Sequence, residues 1–163
     1  MLLVLLFTLV VTHSSHVVTS QDCDLSQPII SDCVADISDT WWVEQDTELT
    51  NVTLTCHGGP EPCVTVTDNV NLEIRHSTIT GNNTRQCILL QPSSTLHVAN
   101  VKQEKCGNWT ADIGGFIYGF KDNKVTVTES VLKDNRARFG GAIALFDGGE
   151  LDISGSELSR NYV

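Results

Sequence analysis

Glu73, His97 and Asp152 are the residues of this 163-residue chain whose types and spacing could do chemistry. Each is the middle member of an apolar-x-apolar triplet: Leu72-Glu73-Ile74, Leu96-His97-Val98 and Leu151-Asp152-Ile153. A fourth triplet, Val125-Thr126-Val127, carries threonine in the middle. If the triplets are stacked strands, their middle residues share one outward wall. A carboxylate beside an imidazole is a minimal general acid–base pair. Glu73 and His97 would lie on adjacent strands, within reach of each other. Residues two to three strands apart stand roughly 10 to 15 Å apart, too far for Glu73, His97 and Asp152 to act on one bond. A surface acid beside a histidine is more often an incidental pair, so no catalytic residue is assigned. Glu73 and His97 stand as candidate ligand contacts.

The elements that must position them recur along the chain. Val64, Ile88, Ile117 and Ile143 each precede by eight residues the first apolar member of a triplet, and these starts lie 24, 29 and 26 residues apart. Inner spacing is constant while outer spacing varies. A period of this size marks a solenoid, in which one supersecondary unit stacks on the next. Within each unit the apolar period is two, as in Val64/Val66 and Ile88/Leu90, which predicts strands with one inward face. Turn residues separate the first and second strands: Asp68-Asn69, Pro92-Ser93-Ser94, Asp122-Asn123 and Asp147-Gly148-Gly149.

A short third strand ends in an apolar-x-x-Asn unit at Ile79/Asn82, Leu132/Asn135 and Leu158/Asn161, whereas the intervening coil carries Val101 to Cys106 instead. Inward amides at stacked turns would form a ladder that satisfies bent backbone. Gly114-Gly115 and Gly140-Gly141 precede first strands, which implies tight turns or close backbone approach.

Gly140-Gly141-Ala142-Ile143 and the apolar-x-x-Asn units resemble the GGA(I/L/V) and FxxN tetrapeptides of the polymorphic outer-membrane protein repeat. Leu or Ile stands in place of Phe, and Gly114-Gly115-Phe116-Ile117 is a partial second copy. The resemblance covers roughly the C-terminal 100 residues. It implies a right-handed parallel β-helix of the pectin-lyase-like superfamily, here of about four to five coils, and a surface-exposed, adhesive role.

Compartment signals agree with export. Leu2 to Val11 is an apolar stretch too short to span a bilayer, followed by Val18-Thr19-Ser20, so residues 1–20 are read as a secretory signal peptide. The six cysteines, at 23, 33, 56, 63, 87 and 106, are an even set expected to form disulfides. Cys56 with Cys63, or Cys63 with Cys87 at equivalent outward positions of neighbouring coils, are the competing local pairings. A metal site at Cys56, His57 and Cys63 matches no common zinc spacing, so no metal or cofactor is expected. Sequons stand at Asn51, Asn82 and Asn108; Asn82 ranks last because a ladder asparagine would point inward. The formal charge of −10 disfavours nucleic-acid and anionic-lipid binding. Asp22 and Asp24, Asp36 and Asp39, and Asp147 to Asp152 lack calcium-loop spacing and are read as solvated turn carboxylates.

Residues 21–50, with two cysteines and Trp41-Trp42, are expected to cap the stack, ahead of a first coil at Val43 and Val52/Leu54. Trp109, in the longest inter-coil loop, is the third candidate ligand contact. The helix would then occupy residues 51–163 and be unfinished at Val163, as a fragment of a longer protein. The functional expectation is a secreted or cell-surface scaffold that binds a carbohydrate or a cell-surface protein without catalysis, with membrane attachment through a missing C-terminal region. The alternative is the N-terminal part of a carbohydrate-active enzyme.

Overall fold

Alternating apolar side chains can be buried on one face of a strand only if other strands close over them, and here three walls of strands do so. The computed structural model describes residues 21–107 and 113–163, whose strands wind into a parallel β-solenoid of about five turns with no helix among them. The signal-peptide reading of residues 1–20, and Asn108 and Trp109, lie outside the described residues.

An opening rung supplies β1 (Gln21–Asp22), β2 (Ile29–Ser31) and β3 (Cys33–Ile37). Five coils follow, each giving one strand to a first, a second and a third wall in turn. The first wall stacks β4 (Trp41–Val43), β7 (Val64–Val66), β10 (Ile88–Leu90), β13 (Ile117–Phe120) and β16 (Ile143–Phe146). The second stacks β2, β5 (Thr47–Thr50), β8 (Asn71–Arg75), β11 (Thr95–Ala99), β14 (Lys124–Thr128) and β17 (Glu150–Ser154). The third stacks β1, β3, β6 (Thr53–Cys56), β9 (Thr78–Thr80), β12 (Lys102–Glu104), β15 (Val131–Lys133) and β18 (Glu157–Ser159). All pairs are parallel. Val64, Ile88, Ile117 and Ile143 are mutual partners, as are Leu72, Leu96, Val125 and Leu151.

The core is a column of such residues; Leu49, Leu72, Ile74, Leu96, Leu90 and Leu132 are each at most 1% exposed. Each contributes on the order of 1.5–3 kcal/mol by leaving water. The bend between second and third walls is made by one left-handed residue per coil: Asp32, Asn51, His76, Asn100, Glu129 and Gly155, all with φ between 47 and 57°. In the left-handed conformation the amide still donates to the next coil, as Asn51 does to Arg75 O at 3.1 Å and Asn100 to Thr128 O at 3.1 Å. That repeated bond offsets a conformational cost of about 1–2 kcal/mol per non-glycine residue.

The expected boundary at residue 51 needs correction. Residues 29–50 hold strands of the same walls, with Ile30 in register with Leu49 and Leu49 with Ile74. Val43 does begin a coil, but its second-wall residues are Thr47 and Leu49, while Leu54 belongs to the third wall beneath Ile79. The shorter turn between β4 and β5 moved the pattern. The glycines behave as their pairing implies: a Cβ on Gly115 would lie 2.2 Å from Gly141 O, and one on Gly141 2.5 Å from Tyr162 O.

Candidate functional site

The second wall presents its outward row in the order Glu48, Glu73, His97, Thr126 and Asp152. Leu72/Ile74 and Leu96/Val98 point inward, so pleating turns Glu73 and His97 to solvent on adjacent strands. His97 Nδ1 and Glu73 Oε1 are 3.0 Å apart, with side chains 35% and 31% exposed. Glu73 also receives the Arg75 guanidinium. The carboxylate is therefore shared by a cation and an imidazole, an arrangement that holds both long side chains against the wall. Asp152 stands two strands beyond His97 with Thr126 between them, so the three expected residues share a row without converging. The cluster can accept and donate hydrogen bonds to a polar ligand laid along the wall.

Other expected sites are placed as follows. Cys23–Cys33, Cys56–Cys63 and Cys87–Cys106 are disulfides. Cys63 and Cys87 are fully buried and not bridged to each other, contrary to the outward placement expected. Strand alternation ends at the corner, and the chain's bend there turns both sulfurs inward. The Cys56–Cys63 bridge removes the two thiolates that a metal site beside His57 would need, and His57 Nε2 lies 3.3 Å from Asp36 Oδ1 instead. Asp24 accepts bonds from Ser26 N, Ser26 Oγ and Gln27 Nε2, which hold its carboxyl below the usual range as a turn cap.

Asn82 is exposed and receives the Thr84 hydroxyl on its Oδ1, so it is not a ladder asparagine. The inward-pointing obstacle to its sequon is gone. Asn51 is also exposed, its Nδ2 donating to Asp32 Oδ1 at 2.7 Å. The amide ladder is centred on Asn135, two coils further on. Asn135 Oδ1 accepts from Cys106 N at 2.9 Å and from Gln103 Nε2 at 2.6 Å, while its Nδ2 donates to Gln103 Oε1 and Asn161 Oδ1, both at 2.8 Å. Gln103 and Cys106 thus occupy the apolar and asparagine positions in the coil that lacks the motif.

Sequence reasoning missed a serine ladder. Ser77, Ser130 and Ser156 follow the left-handed bend residue, and their hydroxyls accept from the amides of Val52, Val101 and Ser130 one coil back, each at 3.0 Å. The signal was a serine two residues before the apolar member of each apolar-x-x-Asn unit. Arg85 was missed as well. It is 4% exposed and donates to the carbonyls of Ile37, Ser38 and Asp39, clamping the corner of an earlier coil. Burial pushes its pKa down, against the opposing pull of Asp39.

The Trp41-Trp42 pair divides. Trp41 is half-buried, with Nε1 donating to Leu25 O at 3.1 Å, while Trp42 is 54% exposed beside a cleft of about 660 Å³ lined by Leu25, Ser26, Glu44 and Gln45. No family model matches this chain, and neither a curated protein nor a solved structure gives a match.

Proposed function

We propose that the chain is a secreted or cell-surface β-helix scaffold, an adhesion or ligand-binding module without catalysis. The observation that carries this is a disulfide-bonded solenoid with long, regular outward rows, an architecture that offers extended surface to a ligand. The GGA(I/L/V) and apolar-x-x-Asn likeness supports the polymorphic outer-membrane type of repeat and the pectin-lyase-like superfamily. Close backbone approach at Gly115 and Gly141, and the Asn135–Asn161 ladder, supply the physical use such motifs need. The ligand classes that fit are carbohydrate and cell-surface protein, met by the outward polar row at Glu73, Arg75 and His97, and membrane attachment through a further C-terminal region belongs to the same reading.

The alternative, the N-terminal part of a carbohydrate-active enzyme, is favoured by one observation: the 3.0 Å His97–Glu73 contact on an outward wall. The two readings separate on the secreted chain. Binding to immobilised glycans and intact cells, with loss on Glu73→Ala or His97→Ala, is expected. Release of new reducing ends or unsaturated products from polyuronides, abolished by His97→Ala, would overturn the non-catalytic reading.

A further inference from the structure

The three walls hold unequal numbers of strands: five in the first, six in the second and seven in the third. The opening rung extends the second and third walls past the first, so β4 is the edge of the first wall among the described residues. Residues 23–28 pass beside that edge without forming a strand. Side chains tie them down: Trp41 Nε1 donates to Leu25 O at 3.1 Å, and Gln45 Nε2 to Ser26 O at 3.2 Å. The cleft of about 660 Å³ lies between this connection and β4. Parallel pairing turns the main-chain groups of Trp41 and Val43 towards β7, as in Trp41 N to Cys63 O at 2.9 Å and Thr67 N to Val43 O at 3.0 Å. The amide and carbonyl of Trp42 alternate to the opposite, open edge.

We propose that this cleft is a carbohydrate-binding site for neutral β-linked hexopyranosides, with the Trp42 indole as its stacking platform. The proposal rests on the reading of the chain as a ligand-binding module and adds a site apart from the second-wall row of Glu73 and His97. A pyranose ring with equatorial substituents has apolar C–H faces and a rim of hydroxyls, so it needs a flat apolar surface flanked by polar groups. Trp42 is 54% exposed and supplies the surface, while the half-buried, hydrogen-bonded Trp41 anchors the strand beneath it. The Glu44 carboxylate, the Gln45 side-chain carbonyl and the open-edge groups of Trp42 supply acceptors and a donor for the rim. The volume falls within the roughly 300–1,000 Å³ typical of small-molecule sites.

Charge narrows the ligand further. The residues lining the cleft include one carboxylate, Glu44, and no Lys, Arg or His, on a chain of formal charge −10. Uronates and sulfated sugars would be repelled, whereas a neutral ring is not. A peptide adding as a further strand is served less well. Strand addition draws on a run of free main-chain groups, and three-residue β4 presents only those of Trp42 at its centre.

Calorimetric titration of the secreted chain with cellohexaose, laminarihexaose and chitohexaose should show binding of at least one, weakened at least ~10-fold by Trp42→Ala. Trp42→Phe, which keeps an aromatic face, should restore part of the loss, and Glu73→Ala should leave the affinity for these sugars unchanged. Because Trp42 is exposed, neither substitution at 42 should alter the far-ultraviolet circular dichroism. Failure of the wild-type chain to bind all three oligosaccharides, or unchanged affinity in Trp42→Ala, would overturn the proposal. Binding lost in Glu73→Ala but kept in Trp42→Ala would overturn it too, while leaving the second-wall reading in place.

Discussion

The fourth and fifth coils carry the same motif and live in different environments. Val125, Val127 and Leu132 are fully buried, whereas their partners one coil on, Leu151, Ile153 and Leu158, are 46%, 38% and 43% exposed. Strand spacing, turn chemistry and the apolar-x-x-Asn unit are shared. What differs is the neighbour: the fourth coil is covered on both sides among the described residues, and the fifth on one. A solenoid repeat therefore does not own its core; each interface between coils does.

Core truncation gives the largest contrast. Leu132→Ala should cost about 2–5 kcal/mol because it opens a cavity between two coils, while Leu158→Ala should cost less than ~1 kcal/mol because its side chain already meets water. Urea unfolding of the two variants checks this, and equal losses would break the comparison. The polar ladder comes next. Asn135→Ala leaves Gln103 and the Cys106 amide without their partner inside the stack and should cost about 1–3 kcal/mol, whereas Asn161→Ala should cost ~1 kcal/mol or less at a part-exposed turn.

Acid should loosen the ties between coils in a defined direction. Bonds from Lys133 and Lys105 hold the Glu104 carboxyl below its usual 4.5, and the bidentate Arg160 contact holds Asp134 below 3.8. A carboxylate with a depressed folded pKa contributes stability that is present above its unfolded value and fades as pH falls through the folded one. Stability should therefore decline below about pH 4.5, and Glu104→Gln with Asp134→Asn should flatten that decline. A pH slope unchanged in the double variant would remove these pairs from the account. The smallest effect is expected where motif and environment part company. Asn82 holds the same motif position as Asn135 but is exposed, so Asn82→Gln should change stability by less than ~0.5 kcal/mol; the proposed export further predicts that chain made through a eukaryotic secretory pathway loses one glycan on this substitution, read as a mass shift.

Much of the scaffold was legible because burial and pleating impose a period. The eight-residue interval from Val64 to Leu72 and its three repeats recur as strand register, and Glu73 and His97 emerged on one wall from that spacing alone. The opening coil was misread because Thr47 occupies an inward position, where a polar side chain hides the alternation, and because Val52 and Leu54 imitate a triplet across a bend. The outward direction of Asn82 and the inward direction of Cys63 and Cys87 depend on how the chain leaves the third wall. Residue type alone carries no record of that path.

Residue order by itself determined the strand period, the turn positions and the outward row that holds Glu73 and His97, because each follows from spacing within one coil. Only the tertiary structure decided which cysteines pair, which asparagine turns inward, that Arg85 reaches back to clamp residues 37–39, and which apolar triplets are dry. Those outcomes belong to contacts made across the stack: the disulfide partners lie 7 and 19 residues apart, and the partners of Asn135 and Arg85 lie 26 and 48 residues away in sequence yet within hydrogen-bonding distance in space.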